Sequence, residues 1–235
     1  MRDWDINIYR GILTGYNEAF IINKETRDKL IEASPKNAEI IRPILRGRDI
    51  KKYQIDFNDQ WIIATHNGIK DKNIERIHVE RDYPDIYNYL SKFQDQLEKR
   101  YDKGDHWSNL RNCAYLEDFN KEKIVWLELT DHPNFAFDTQ GYLINNTIFF
   151  ITGERLRYIQ AFLNSRLCEW YFDKIAATSG VGTRRWIKIY IDQICIPIPN
   201  LDIEYKFNIV VDKLNRNFSE DLLKEIDSYV YELFS

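Results

Sequence analysis

Lys123-Ile124-Val125-Trp126-Leu127-Glu128-Leu129, then Asn134-Phe135-Ala136-Phe137-Asp138, then Tyr142-Leu143-Ile144-Asn145-Asn146-Thr147-Ile148-Phe149-Phe150-Ile151, read as three strands in succession. Directly after them, 154–175 reads as a long helical region, with Leu156, Ile159, Leu163, Leu167 and Trp170 along one side. Strands that succeed one another without an intervening helix argue against a doubly wound parallel sheet. They favour an α+β fold, a mixed β-sheet with packed helices.

Working outward, residues 10–23 read as strand, turn and strand, punctuated by Gly11 and Gly15, with Ala19-Phe20-Ile21-Ile22 as the second apolar run. Asn23 suits the cap of a short helix through Ile31, and Ser34-Pro35 the start of another. Trp61-Ile62-Ile63-Ala64 is a strand. The clearest helix covers 84–101, where Ile86, Leu90, Phe93 and Leu97 share a face, Pro84 suits the first turn and Gly104 the stop. The alternation in 186–198 predicts a strand closing at Pro197 and Pro199. A helical pair ends the chain, near 203–215 and 220–233, capped by Asp202 and Ser219, with Leu222, Ile226, Tyr229 and Leu233 as the last stripe. The expected organisation is one body over 1–200, divisible into two lobes near 104–120 or 175–185, with helices over 201–235 at its end.

At 235 residues with 44% apolar and 14% aromatic side chains, the chain can bury a sizeable core. Its longest apolar runs fall far short of the roughly 20 residues that span a bilayer, which predicts no membrane partner. The charged start Met1-Arg2-Asp3-Trp4-Asp5 carries no apolar signal stretch. Cys113, Cys168 and Cys195 are odd in number and far apart, as in a reducing cytoplasm. Met1 is the sole methionine, which suits a fragment given an added start.

Several chemistries find no residues to carry them. There is no phosphate-cradling Gly-x-x-x-x-Gly-Lys loop and no Gly-x-Ser-x-Gly. His66, His78, His106 and His132 stand singly, so no metal site is expected. Asp131-His132-Pro133-Asn134-Phe135 lacks the paired prolines with which an adenine methyltransferase holds its target amine. Glu204-Tyr205-Lys206 with Asp192, or Asp49-Ile50-Lys51, fits half of a metal-dependent nuclease motif. An acid in the first turn of a helix is, however, expected for dipole reasons alone. No catalytic residue is assigned.

Several strings, read in order, resemble one family. They are Gly11-Ile12-Leu13-Thr14-Gly15-Tyr16-Asn17-Glu18-Ala19-Phe20-Ile21-Ile22; then Ile40-Ile41-Arg42-Pro43-Ile44-Leu45-Arg46-Gly47-Arg48-Asp49-Ile50 with Tyr53 and Trp61; then Tyr83-Pro84, Tyr89-Leu90, Leu97-Glu98-Lys99-Arg100 and Trp107. Leu163-Asn164-Ser165, Ser179-Gly180-Val181-Gly182-Thr183-Arg184, Pro197-Ile198-Pro199 and Glu225 to Leu233 complete the order. The family is the TaqI-like C-terminal specificity domain of type IIG restriction–modification enzymes and related adenine-specific DNA methyltransferases. The resemblance implies a target-recognition domain for double-stranded DNA, linked to or associated with a methyltransferase domain that binds S-adenosylmethionine. In many such enzymes a Mg2+-dependent nuclease domain is also present. No cofactor is implied for this chain itself. A sister reading is the specificity region of a phage-exclusion methyltransferase.

A net charge of −4 runs against a DNA-reading role. Residues 217–235 alone carry five acids against one lysine, so the rest of the chain is neutral. A neutral body with local basic clusters predicts weak non-specific binding and suits a tethered reader. The first candidate cluster is the loop from Thr178 to Lys188: Gly180 and Gly182 permit close approach, and Arg184, Arg185 and Lys188 beside Trp186 offer donors to bases or phosphates. Its plainer reading is a glycine turn with solvated arginines. Arg42, Arg46, Arg48, Lys51 and Lys52 form a second group suited to phosphates, or a packing motif with exposed charge. Asn67 and Lys70, near His66 and Gly68, suit an adenine contact or simply a turn. Lys103, His106, Trp107 and Arg111 form a further polar stretch. The acidic terminal helices are a candidate docking surface for a partner domain.

Overall fold

The run Ile148-Phe149-Phe150-Ile151 lacks polar alternation because neither of its faces meets water. In the computed structural model, which describes residues 1, 4–176 and 182–234, it forms the strand Ile148–Gly153 inside a four-stranded antiparallel sheet. The strand order is Ile6–Arg10, Ile148–Gly153, Lys123–Leu127, Ala136–Asp138. Phe149 lies opposite Trp126 and Phe150 opposite Val125, so side chains alternate between two separate cores.

On one face, Ile124, Trp126, Phe149 and Ile151 pack against the helices Leu156–Asn164, Arg166–Ile175, Leu201–Arg216 and Glu220–Glu232. On the other, Val125, Ile148 and Phe150 meet a second sheet, ordered Leu143–Ile144, Ile41–Leu45, Gln60–Ile63, Ile21–Asn23, and the helix Pro84–Ser91. Only Leu143–Ile144 runs parallel to its neighbour among the described strand pairs; the second sheet is therefore mixed, and the fold is α+β. An ion pair is sealed into the first sheet: Lys123 faces Asp138 across the strands at 2.6 Å, both side chains fully buried. Phe119 O accepts a further bond from Lys123, and Asp138 accepts from the amides of Gln140 and Tyr142. Burial pushes the Lys123 amine down against the pull of Asp138.

Several elements differ from the sequence reading. The expected helix 154–175 breaks at Ser165, whose extended backbone ends one helix while its hydroxyl accepts from Cys168 N and caps the next. The expected helix 84–101 breaks at Phe93 into Pro84–Ser91 and Gln94–Glu98. Residues 142–151 turn at Asn145–Thr147 and supply strands to both sheets. The second strand of the 10–23 unit is Ile21–Asn23, preceded by one helical turn, Asn17–Phe20. Asn23 caps the helix Lys24–Ala33 as expected, its side chain accepting from Thr26 N. Ser34 makes no side-chain cap bond, and Pro35–Glu39 beyond it is a 3-10 helix. Asn200, not Asp202, caps Leu201–Arg216, and the Ser219 side chain makes no cap bond to Glu220–Glu232. The strand expected over 186–198 is the main error: none of its residues is in a strand, Lys188–Ile191 is a helical turn, and the pairing strand, Arg184–Arg185, lies just before it. Trp186, Ile191, Ile194 and Ile196 are all buried, so the apolar positions served the core without needing a sheet partner.

Candidate nucleic-acid interface

The short strand Arg184–Arg185 pairs antiparallel with Leu129–Thr130 as a separate two-stranded sheet, which follows the interior strand Lys123–Leu127 in the chain. Successive residues on a strand point to opposite sides. Arg184 turns inward, where Asp173 takes both Nε and Nη2 and Glu169 lies 3.5 Å from Nη1. The Asp173 hydrogen bond holds this guanidinium above its usual range. Trp186, next but one, is fully buried and stacks on Phe172 at 3.7 Å, with Trp126 Nε1 donating to its carbonyl. Neither side chain is free to enter a groove. The expectation that Arg184 and Trp186 belong to an exposed reading loop is corrected: both anchor the loop to the first core.

Arg185 faces outward, half exposed, and donates to Glu128 at 3.1 Å. The same carboxylate takes Nη2 of Arg10, whose Nε donates to Asn146 O and whose guanidinium lies 5.4 Å from the Phe149 ring. Glu128 is itself fixed at both backbone ends, donating to Thr147 O and accepting from Trp186 N. The second predicted cluster meets this hub. Gly47 lies so close to Leu127 and Thr147 that an added Cβ would stand 3.0 Å from the Leu127 side chain. Arg48, the next residue, is exposed and has no side-chain partner among the described residues.

The other cations of that cluster divide. Arg46 is half-buried and donates to Gln60, while Arg42 donates to Asn120 and Gly141 O on the wall of a 420 Å³ cleft that also holds His66 and Arg111. Lys51 is exposed and paired with Asp56. Lys52 reaches Asn164 O, and burial lowers its pKa. Lys188 is exposed and paired with Asp192 one turn on. Gly182 has φ +87° with open space around its missing Cβ, while Gly180 lies outside the described residues.

Asn67 is buried: it donates to Asn112 and accepts from Asp105 N, so the expected adenine contact is replaced by a loop clamp. Lys70 is exposed beside it. Lys103 donates to Glu98 O, His106 Nδ1 lies 2.8 Å from Ser108 Oγ, Trp107 packs on Tyr87, and Arg111 pairs with Asp102. Sequence reasoning missed Arg10 and Glu128; a cation at a strand end just before Gly11 was the available signal. In the nuclease strings Glu204 is engaged by Arg155, Asp192 by Lys188, Asp49 by Arg46 N and Asn58, and Lys51 by Asp56. No group of three or more His, Cys, Asp or Glu side chains gathers as metal ligands among the described residues, and no described helix is long and apolar enough to cross a membrane.

The profile of the family described as the TaqI-like C-terminal specificity domain matches residues 42–198. A type II methyltransferase, M.MjaIV of Methanocaldococcus jannaschii (strain ATCC 43067 / DSM 2661 / JAL-1 / JCM 10045 / NBRC 100440), is 25% identical, the alignment covering 92% of this chain and 75% of the relative. The type IIL restriction–modification enzyme MmeI, solved in complex with DNA, superposes over 97% of this chain with a TM-score of 0.72 at 10% identity. The type IIG restriction endonuclease BpuSI superposes over 97% with a TM-score of 0.57 at 14% identity. The chain spans 32% and 30% of those two structures, about a third of their length.

Proposed function

We propose that this chain, which belongs to the family of TaqI-like C-terminal specificity domains, recognises DNA sequence for a restriction–modification enzyme. The observation that carries this reading is the meeting of two arginines, Arg10 and Arg185, distant in sequence, on the one carboxylate of Glu128. Both are half exposed beside it, and Arg48 is a further exposed arginine with no side-chain partner among the described residues. Cations gathered in this way can position a duplex by its phosphates and leave an unpaired arginine for the major groove, where arginine pairs with guanine.

In this reading the chain carries no catalytic centre. Residues 1–200 form the reader, and the helices within 201–235 also offer a docking face to a methyltransferase domain. Adenine methylation with S-adenosylmethionine, and any Mg2+-dependent cleavage, belong to that partner, covalently linked or associated. A DNA substrate implies a cytoplasmic site of action. Extruding an adenine for methylation costs a few kcal/mol of unstacking, which a separate domain gripping the duplex can supply. The specificity region of a phage-exclusion methyltransferase would use the same surface.

The test maps methylated sites made by the full-length protein carrying this chain. Arg48→Ala is expected to relax or change the target sequence. A target identical to wild type in Arg48→Ala, Lys188→Ala and Arg185→Ala alike, with methylation rate also unchanged, would overturn the reading.

A further inference from the structure

Glu128 is an acid where a phosphate-facing surface should have none, yet it binds two arginines from segments far apart in the chain. Two guanidiniums on one carboxylate leave a net positive unit. Each arginine commits a single Nη2 to Glu128. Nη1 of Arg10, and Nε and Nη1 of Arg185, have no hydrogen-bond partner among the described residues. Both side chains are about half exposed, at 50% and 52%, whereas Glu128 is only 14% exposed. The acid is thus more buried than the two arginines that it holds. Asn146 O and the Phe149 ring restrain Arg10, and Glu128, whose backbone is bonded at both ends, restrains Arg185. Guanidiniums held in this way lose less entropy on gripping an oxyanion than free surface arginines would.

We propose that Arg10 and Arg185, gathered by Glu128 as a positioning residue, form one binding site for a single backbone phosphate of duplex DNA. This rests on the DNA-recognition reading and adds to it a named phosphate site and its organising acid. Because one phosphate bridges both arginines, the two act as a unit.

The experiment measures binding of the full-length protein carrying this chain to a random-sequence 30-base-pair duplex, over salt from about 20 to about 150 mM. Each lost phosphate contact lowers the slope of log K against log salt by about 0.9. Arg10→Ala and Arg185→Ala are each expected to lower it by about 0.9, and the double variant by no more than either single. The double variant is also made with Glu128→Gln, so that no acid is left unpaired, and thermal melts confirm the fold. A slope unchanged in either single variant, or a double variant that loses about 1.8, would overturn the shared site while leaving DNA recognition standing. Absence of duplex binding by the wild-type full-length protein at the lowest salt would overturn both. Titration with inorganic phosphate alone forms a second arm. Saturable binding there, lost in Arg10→Ala while the DNA slope stays constant, would assign the pair to a free anion instead.

Discussion

Arg184 and Arg185 are neighbours in sequence and opposites in structure. The first turns inward to two carboxylates, Asp173 and Glu169, with a side chain 17% exposed; the second turns outward and shares one carboxylate with another arginine. Around Arg184 acids outnumber cations, and around Arg185 cations outnumber acids. The pleat of a two-residue strand produces this division, because it sends adjacent side chains to opposite sides. A basic stretch is therefore not one functional unit. Half of it secures the loop, and half is left with charge to offer a ligand.

The contrast should show most strongly at Trp186, which shares the inward side with Arg184. Trp186→Ala removes a fully buried indole stacked on Phe172 and is expected to cost about 3–5 kcal/mol of stability, read by denaturant unfolding. A loss below about 1 kcal/mol would mean the strand is not anchored from this side. Arg184→Ala should cost about 1.5 kcal/mol, since it strips charge-assisted bonds from a mostly shielded site. Its effect on DNA binding should track that loss of stability. If stability stays at the wild-type level while the target sequence changes, the division between the two arginines does not hold.

Arg185→Ala should behave the other way. Its pair with Glu128 is half exposed, and Glu128 keeps Arg10, so stability is expected to move by no more than about 0.5 kcal/mol. Binding to DNA should weaken uniformly across sequences, the signature of a phosphate contact. A selective loss for one target would reassign Arg185 to base reading. Lys188→Ala should move stability least, by about 0.3 kcal/mol, because it removes only an exposed pair one helical turn apart.

The sequence carried the fold class because hydrophobic patterning is local. The strand run in 123–151, the apolar stripe of 156–163 and the terminal helical pair are each legible within a window of neighbours. Element ends were less so: the break at Ser165 depends on a hydroxyl cap and on Asn164 bonding to Phe135, a contact 29 residues away. The identity of the basic segments was legible too, since Arg48 and Arg185 are charged wherever they end up. Which cations stay available was settled by packing alone. Arg184 is held by Asp173, Arg42 by Asn120, Lys52 by Asn164 and Arg185 by an acid it shares with Arg10. Charge is a property of a residue, but its surplus is a property of a place. It is set by how many opposite charges the folded chain brings within about 4 Å, and no one-dimensional reading contains that distance.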